Sequence, residues 1–274
     1  MKRTSDIRAT TVSNDVWIRH PQGRIFSRIW TQGSDTTQPR SLTPLLLFHD
    51  SLGCVELWRG FPAELSVATG RPVIAYDRLG FGQSDPRPDR PPINFIADEA
   101  TSYFPIILEQ LGITRFAAFG HSVGGAMAVN CAAQFAPDCE ALVTESAQVF
   151  PEDRTLQSIR SAREEFKDDK QLERLKKYHG EKAKWVVDAW TESWLHPEFA
   201  SWSIASVLPQ VVCPVLAIHG IHDEYGTTRH PDMIGQLSSG PSRVEIIPDT
   251  HHVPHRERQQ IIVRLVADFL NSVH

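Results

Sequence analysis

The sequence predicts an α/β fold: a mostly parallel central sheet flanked by helices, with an inserted helical cap. Three observations predict it. Short apolar runs recur along the chain: "LLLF" at 45–48, "PVIAY" at 72–76, "FAAF" at 116–119, "ALV" at 141–143, "PVLAI" at 214–218 and "VEII" at 244–247. Continuous apolar runs of this length suit strands buried on both faces. Helical patterns fill the gaps, over 56–69, 96–111, 124–135 and 259–269, and strand alternating with helix means βαβ units. Finally, the alternation stops between about 148 and 208, where no strand candidate occurs. "TLQSIRSAREEF", "DKQLERLKKYH" and "EKAKWVVDAWTESWL" read there as three amphipathic helices. The expected organisation is a core domain of residues 1–147 and 209–274, with a helical cap over 148–208.

The remaining elements follow from local chemistry. Residues 16–19 and 25–30 flank "HPQG", whose Pro and Gly suit a hairpin turn. A polar loop, "QGSDTTQPRS", leads into the first apolar run. The insertion carries four of the seven tryptophans, Trp185, Trp190, Trp194 and Trp202. Trp190 and Trp194 are four residues apart and share a helix face. They either pack the insertion onto the core or line an apolar pocket beneath it.

With 41% hydrophobic and 22% charged residues, composition is that of an ordinary globular chain. The net charge of −5 and the lack of a basic stripe argue against nucleic acid. No apolar run approaches the ~20 residues of a membrane span. The first residues are basic but lack the apolar region of a signal peptide. Cys54, Cys131, Cys139 and Cys213 form no C-x-x-C pair and read as small buried hydrophobes in a reducing compartment. A cytoplasmic location is expected. The sequence fixes no oligomeric state.

Gly120-His121-Ser122-Val123-Gly124 lies where a strand ends and a helix begins. It matches G-x-S-x-G, in which a tight turn lifts a serine hydroxyl above the sheet edge. Flanking glycines admit neighbouring backbone without a Cβ clash. A serine needs a base, and the base needs an orienting carboxylate. In this pattern the acid follows the serine and the histidine comes last. Asp223, just past the strand in "VLAIHGIHDEYGT", is the leading acid; Glu224 beside it and Glu145 after the preceding strand are the alternatives. The base belongs in "DTHHVPHRERQ", which holds His251, His252 and His255 before the last helix. Clustered histidines also suggest a metal, but H-E-x-x-H is absent and Pro254 disfavours the helix that would align His251 with His255. No metal or cofactor is expected.

"LLLFHDSLG", "VIAYDRLGFGQSD", "GHSVGG", "VLAIHGIHDEYG" and "PDTHHVPHRERQQIIVRLVADFL" together resemble the α/β-hydrolase fold superfamily over nearly the whole chain. The resemblance implies that His252 is the base, with His251 replacing the glycine usual before it. It implies an oxyanion hole from the backbone N–H groups of Ser51 and Val123. It also marks a departure: the usual His-Gly is His49-Asp50 here, and the Asp50 charge opposes a developing oxyanion unless it points away or is paired. Asp77 is expected to brace a loop, and His49, His121 and His219 to be hydrogen-bonded packing residues.

The implied activity is that of a serine hydrolase acting through Ser122, His252 and Asp223 on a small-molecule ester or lactone, acyl-homoserine lactones among them. Trp190 and Trp194 are the candidate substrate-binding residues. The alternatives are a C–C bond hydrolase of the meta-cleavage type, or a non-catalytic ligand receptor on the same fold. Relatives with an aspartate nucleophile are disfavoured by serine at 122.

Overall fold

The structure is a computed structural model that describes residues 11–33 and 42–273. The leader reading of the first residues, and the polar loop from residue 34 to 41, lie outside the described residues. The eight strands are β1 (Thr11–His20), β2 (Gly23–Gln32), β3 (Leu45–Phe48), β4 (Val73–Tyr76), β5 (Phe116–His121), β6 (Cys139–Glu145), β7 (Val215–Gly220) and β8 (Ser242–Ile247). They form one sheet in the order β1-β2-β4-β3-β5-β6-β7-β8. The β1–β2 hairpin turns at Pro21-Gln22, and β2 pairs antiparallel with β4. All other pairings are parallel.

The apolar runs are central strands because both of their faces are covered. Leu45, Leu47, Val73, Ala75, Phe119 and Ile218 face one layer with Phe61, Leu65, Ile262 and Val266. Leu46, Phe48, Ile74, Tyr76, Ala118 and Ala217 face the other, with Phe104, Met127 and Val129. Alternate residues of a strand point to opposite faces, so an unbroken apolar run serves both layers. The first layer holds α1 (Phe61–Thr69) and α10 (Gln259–Ser272); the second holds α3 (Phe104–Leu111) and α4 (Val123–Gln134). β8 is an edge strand and is half exposed.

Two expected helices are irregular, one interrupted and one carrying a π turn. The segment 56–69 divides into a 3-10 turn, Val55–Trp58, and α1, with Arg59 at φ 53° and Gly60 between them. Pro62 sits in the first turn of α1, where its missing N–H costs nothing. The segment 96–111 divides into α2 (Phe95–Asp98), a π turn at Glu99–Tyr103 and α3. Pro105 cannot donate the usual bond to the preceding turn, and the widened turn accommodates it. A further helix, α8 (Arg229–Leu237), is not anticipated from sequence. Pro231 and Gly235 inside it mask the pattern.

Between β6 and β7 lie α5 (Asp153–Glu165), α6 (Asp169–His179) and α7 (Ala183–Trp194). This stretch is fastened to the sheet's carboxyl-end loops by polar bonds. Lys182 Nζ donates to the carbonyls of Phe81, Gly82 and Ser84, and His179 Nδ1 accepts the Gly82 N–H at 2.8 Å. Arg154, Thr155 and Ser158 of α5 donate to the carbonyls of Asp223, Tyr225 and Glu224. Asp77 accepts the N–H groups of Val55 and Gln83, both at 2.6 Å, the loop-bracing role expected of it. The four cysteines are buried thiols; Cys139 at the start of β6 and Cys213 just before β7, distant in sequence, bring their sulfurs to 3.7 Å. No described helix is long and apolar enough to cross a membrane.

A Cβ at Gly124 would stand 2.1 Å from the Phe48 carbonyl oxygen. Gly124→Ala therefore forces β3 and α4 apart and is expected to lower stability by about 1–3 kcal/mol, read as the midpoint of chemical denaturation. An unchanged midpoint would show that the two elements have slack.

Candidate active site

β5 delivers Ser122 to the carboxyl end of the sheet. The residue has φ 55° and ψ −125°, a left-handed backbone that costs a non-glycine residue energy. Its N–H donates to the Glu145 carbonyl at 2.8 Å, which pins the turn to β6. The flanking glycines are steric necessities: a Cβ at Gly120 would lie 2.2 Å from the Gly124 carbonyl oxygen. The turn thus holds the hydroxyl over the start of α4, where helix N–H groups converge.

The histidine loop follows β8. His252 Nε2 lies 3.0 Å from Ser122 Oγ, and His252 Nδ1 lies 2.9 Å from both Asp223 carboxylate oxygens. Of the three candidate acids, Asp223 reaches this imidazole. Glu145 pairs with His255 instead, and Glu224 stands at the cavity wall. Asp223 is fully buried and also accepts the N–H groups of Tyr225 (2.7 Å) and Gly226 (3.2 Å). Burial pushes its carboxyl up, but the charge and hydrogen bond of His252, with His219 and the Tyr225 N–H, reverse this and hold it at about 2. His219 donates from Nε2 to the Gly226 carbonyl at 3.2 Å; burial lowers its pKa, so it stays neutral beside the acid.

His251, standing where related sequences carry glycine, needs no left-handed backbone; that conformation falls on Asp249, at φ 48°. Glu257 organises the loop, accepting the N–H groups of His251 (2.9 Å) and Val253 (3.2 Å). Close approach is granted from below by Gly220, where a Cβ would meet the His251 carbonyl oxygen at 2.1 Å.

Ser122 and His252 open into a cavity of about 240 Å³, whose walls include Ser51, Gln148, Trp190, Trp194 and Tyr225. Both candidate tryptophans therefore reach it. Trp185 instead packs on Phe81, and Trp202 stacks on Phe199. The Ser51 and Val123 N–H groups donate to no other group among the described residues. The turn before Ser51 is held by its carbonyl: Asp50 O accepts from Arg78 Nη2 (2.7 Å) and His49 Nδ1 (2.8 Å). Sequence reasoning missed Tyr225, whose ring lies 4.6 Å from that of His252, and Gln148, whose buried amide oxygen has no partner among the described residues. Tyr225 follows the acid by two positions, the signal that could have found it. A larger surface hollow of about 700 Å³ touches Leu42, Arg115, Cys139 and Cys213. It lies at the opposite, amino-terminal ends of the strands and holds no nucleophile–base pair.

The three clustered histidines go to three different carboxylates: His251 to Glu257 at 3.3 Å, His252 to Asp223 and His255 to Glu145 at 2.5 Å. Among the described residues, His121, Glu145 and His255 bring ligand-type atoms within 4.8 Å of one another. They fit a metal poorly. His121 Nε2 donates to the His252 carbonyl at 2.8 Å and its Nδ1 faces the Asp50 carboxylate at 3.4 Å, so both ring nitrogens already have oxygen partners.

These placements separate the loop's histidines energetically. His255 is buried and is hydrogen-bonded to the fully buried Glu145 side chain; His255→Ala is expected to destabilise by about 1–3 kcal/mol by leaving that buried group without its partner. His251 is 62% exposed, and His251→Ala is expected to stay within about 0.5 kcal/mol of wild type. Equal unfolding midpoints for the two variants would refute the buried pair.

The α/β hydrolase fold family matches residues 43–170. A human protein named 1-acylglycerol-3-phosphate O-acyltransferase ABHD5 is 32% identical over 114 residues, 40% of this chain; the chain spans only 31% of that relative's length. The mouse serine hydrolase BPHL is 29% identical over 209 residues, 72% of this chain and 69% of the relative. Among solved structures, the enol-lactonase from Burkholderia xenovorans LB400 superposes with a TM-score of 0.72 at 18% identity, covering 93% of this chain and all of that one (100%). Its sheet order, its strained serine turn and these likenesses agree: the protein has the α/β-hydrolase fold.

Proposed function

We propose that the protein is a serine hydrolase that cleaves a carboxylic ester or lactone of a small apolar or acyl-chain substrate. The observation that carries this reading is the unbroken chain from Ser122 Oγ through the His252 ring to the Asp223 carboxylate, at 3.0 and 2.9 Å. Ser122 Oγ attacks the substrate carbonyl carbon as its proton passes to His252 Nε2. Asp223 holds the imidazole in its Nδ1–H form and stabilises the imidazolium. The tetrahedral oxyanion sits against the N–H groups of Ser51 and Val123, each such donor worth about 2.7–4 kcal/mol in the transition state. Its collapse expels the alkoxide, which takes the proton from His252 and leaves an acyl-Ser122. Water then gives a proton to His252, attacks the acyl carbon and releases the acid.

The substrate class is argued from the cavity. Its volume, about 240 Å³, is below the ~300–1,000 Å³ usual for drug-sized ligands. Trp190, Trp194 and Ile159 make most of its wall apolar, with Gln148, Thr155, Asp50 and Glu224 as polar points on it. Residues 148–208 act as the cap, since α5 and α7 furnish that roof. The relatives named a serine hydrolase and an enol-lactonase support the same chemistry.

A fluorophosphonate probe tests the nucleophile. Wild type is expected to be labelled, and Ser122→Ala to lose both labelling and about 10⁶-fold in kcat; equal labelling of the two would refute the assignment. His252→Ala is expected to abolish turnover while His251→Ala retains it. A screen of p-nitrophenyl esters, acyl-homoserine lactones and dienones tests the substrate. Turnover is expected to peak at short to medium acyl chains. Preference for the longest chains, or for dienone C–C cleavage, would overturn the substrate assignment.

A further inference from the structure

We propose that Asp50 and His121 form a positioning pair, an imidazolium–carboxylate brace that locks the oxyanion turn, the nucleophile turn and the base loop together. The proposal rests on the reading of Ser122 and His252 as nucleophile and base. Each member immediately precedes a residue of the reaction: Asp50 precedes Ser51, and His121 precedes Ser122. The third attachment is to the base itself, through the 2.8 Å bond from His121 Nε2 to the His252 carbonyl. Asp50 Oδ2 faces His121 Nδ1 at 3.4 Å while its Oδ1 accepts the Leu52 N–H at 3.1 Å, so the carboxylate also shapes the turn that carries Ser51.

The protonation state follows from the partners. A carbonyl and a carboxylate offer only lone pairs, and they face the two ring nitrogens of His121. A neutral imidazole has a single N–H and would aim its bare nitrogen at the Asp50 carboxylate. The imidazolium satisfies both. The other charged or titratable groups around the pair are Glu145 at the end of β6, His252 in the base loop, His255 and Arg256 on α9 (Pro254–Glu257), His49 beside Asp50, Arg78, whose guanidinium holds the Asp50 carbonyl, and Cys54, His179 and Tyr225. Burial opposes the charge on His121, but Asp50, Glu145 and the His252 carbonyl raise its pKa above the usual 6.5. Burial likewise pushes the Asp50 carboxyl up, and His121 and Arg256 more than reverse it, so Asp50 stays ionised into strong acid.

Two consequences follow. The negative charge that stands beside the oxyanion turn is neutralised by its own partner, so it does not oppose the developing oxyanion. The brace also has a pH limit with a definite sign. A histidine with a raised folded pKa contributes fully below its unfolded value and loses that contribution as pH rises through the folded one. Turnover therefore falls on the alkaline side when His121 loses its proton, independently of His252, which must be neutral to act as base.

The test combines kinetics with histidine-selective ¹⁵N NMR of the full chain, the His121 signal being assigned from its disappearance in His121→Asn. In wild type at pH 7.5 both His121 nitrogens are expected at imidazolium shifts, and in Asp50→Asn at neutral-ring shifts. Asp50→Asn keeps an acceptor for the Leu52 N–H, so its effect reads the charge. For p-nitrophenyl ester turnover, kcat is expected to fall by about 10–100-fold with KM changing less than about threefold. The alkaline limb should move to lower pH in Asp50→Asn and vanish in His121→Asn. A neutral His121 in wild type overturns the brace even if neither variant folds, as do variants with wild-type kcat and pH profile. If wild type fails to label with fluorophosphonate, the nucleophile reading falls and the positioning role with it. Labelling at Ser122 beside a neutral His121 refutes the brace alone.

Discussion

The constraint on which the site depends is the left-handed turn at Ser122. A non-glycine residue held in that region costs about 1–3 kcal/mol, and the surrounding structure over-determines it. The Ser122 N–H is tied to β6 through the Glu145 carbonyl, Gly124 passes within contact of the Phe48 carbonyl on β3, and Gly125 meets Ala147. Each neighbour belongs to a different strand or strand exit. The sheet is thus what makes the strain tolerable, and its central strands, apolar on both faces, make the sheet rigid enough to do so.

Above that turn the chemistry is electrostatic accounting in a buried volume. Buried charges are tolerated when each has a partner at close range. Asp223 faces His252, Glu145 faces His255 and Asp50 faces His121. The three pairs occupy adjacent strand ends, and the rings of His252 and His255 lie 5.2 and 4.9 Å from that of His121. A dense set of histidines here does not imply a metal, because every ring has an oxygen acceptor of its own. Only His252 has its second nitrogen directed at a hydroxyl. That one difference is what singles out His252 as the proposed base.

Much of this was legible in the sequence, and what was not has physical reasons. The strands were readable because an unbroken apolar run has one structural use in a sheet covered on both sides. Ser122 was readable because a tight strand-to-helix turn demands small neighbours at fixed offsets. The interruption at Arg59 and Gly60 and the π turn at Glu99–Tyr103 were not, since apolar periodicity persists through both. Pairings were the least legible. Nothing local joins His121 to Asp50, or His255 to Glu145 across more than a hundred residues (|i−j| = 110); only the sheet order brings those strand ends together. His251 illustrates the opposite case. Glycine at its position is dispensable because the left-handed residue of the loop has moved to Asp249.

The helical insertion is more than a cover over the cavity, because it also holds the acid. Asp223, Glu224 and Tyr225 have their carbonyls bonded to Arg154, Ser158 and Thr155, all from α5. The next link is Glu152, at the start of that helix, whose carboxylate accepts from the Thr227 N–H and hydroxyl at 2.9 and 2.8 Å. The acid loop is therefore clamped between β7 below and α5 above. Thr155 and Ile159 of the same helix line the cavity. One element thus both lines the cavity and holds the loop that carries Asp223. A substrate that displaced α5 in order to fit would loosen the acid in the same movement. Under the proposed function, the bonds that hold residues 223–227 would make the insertion join selection by size to competence for chemistry.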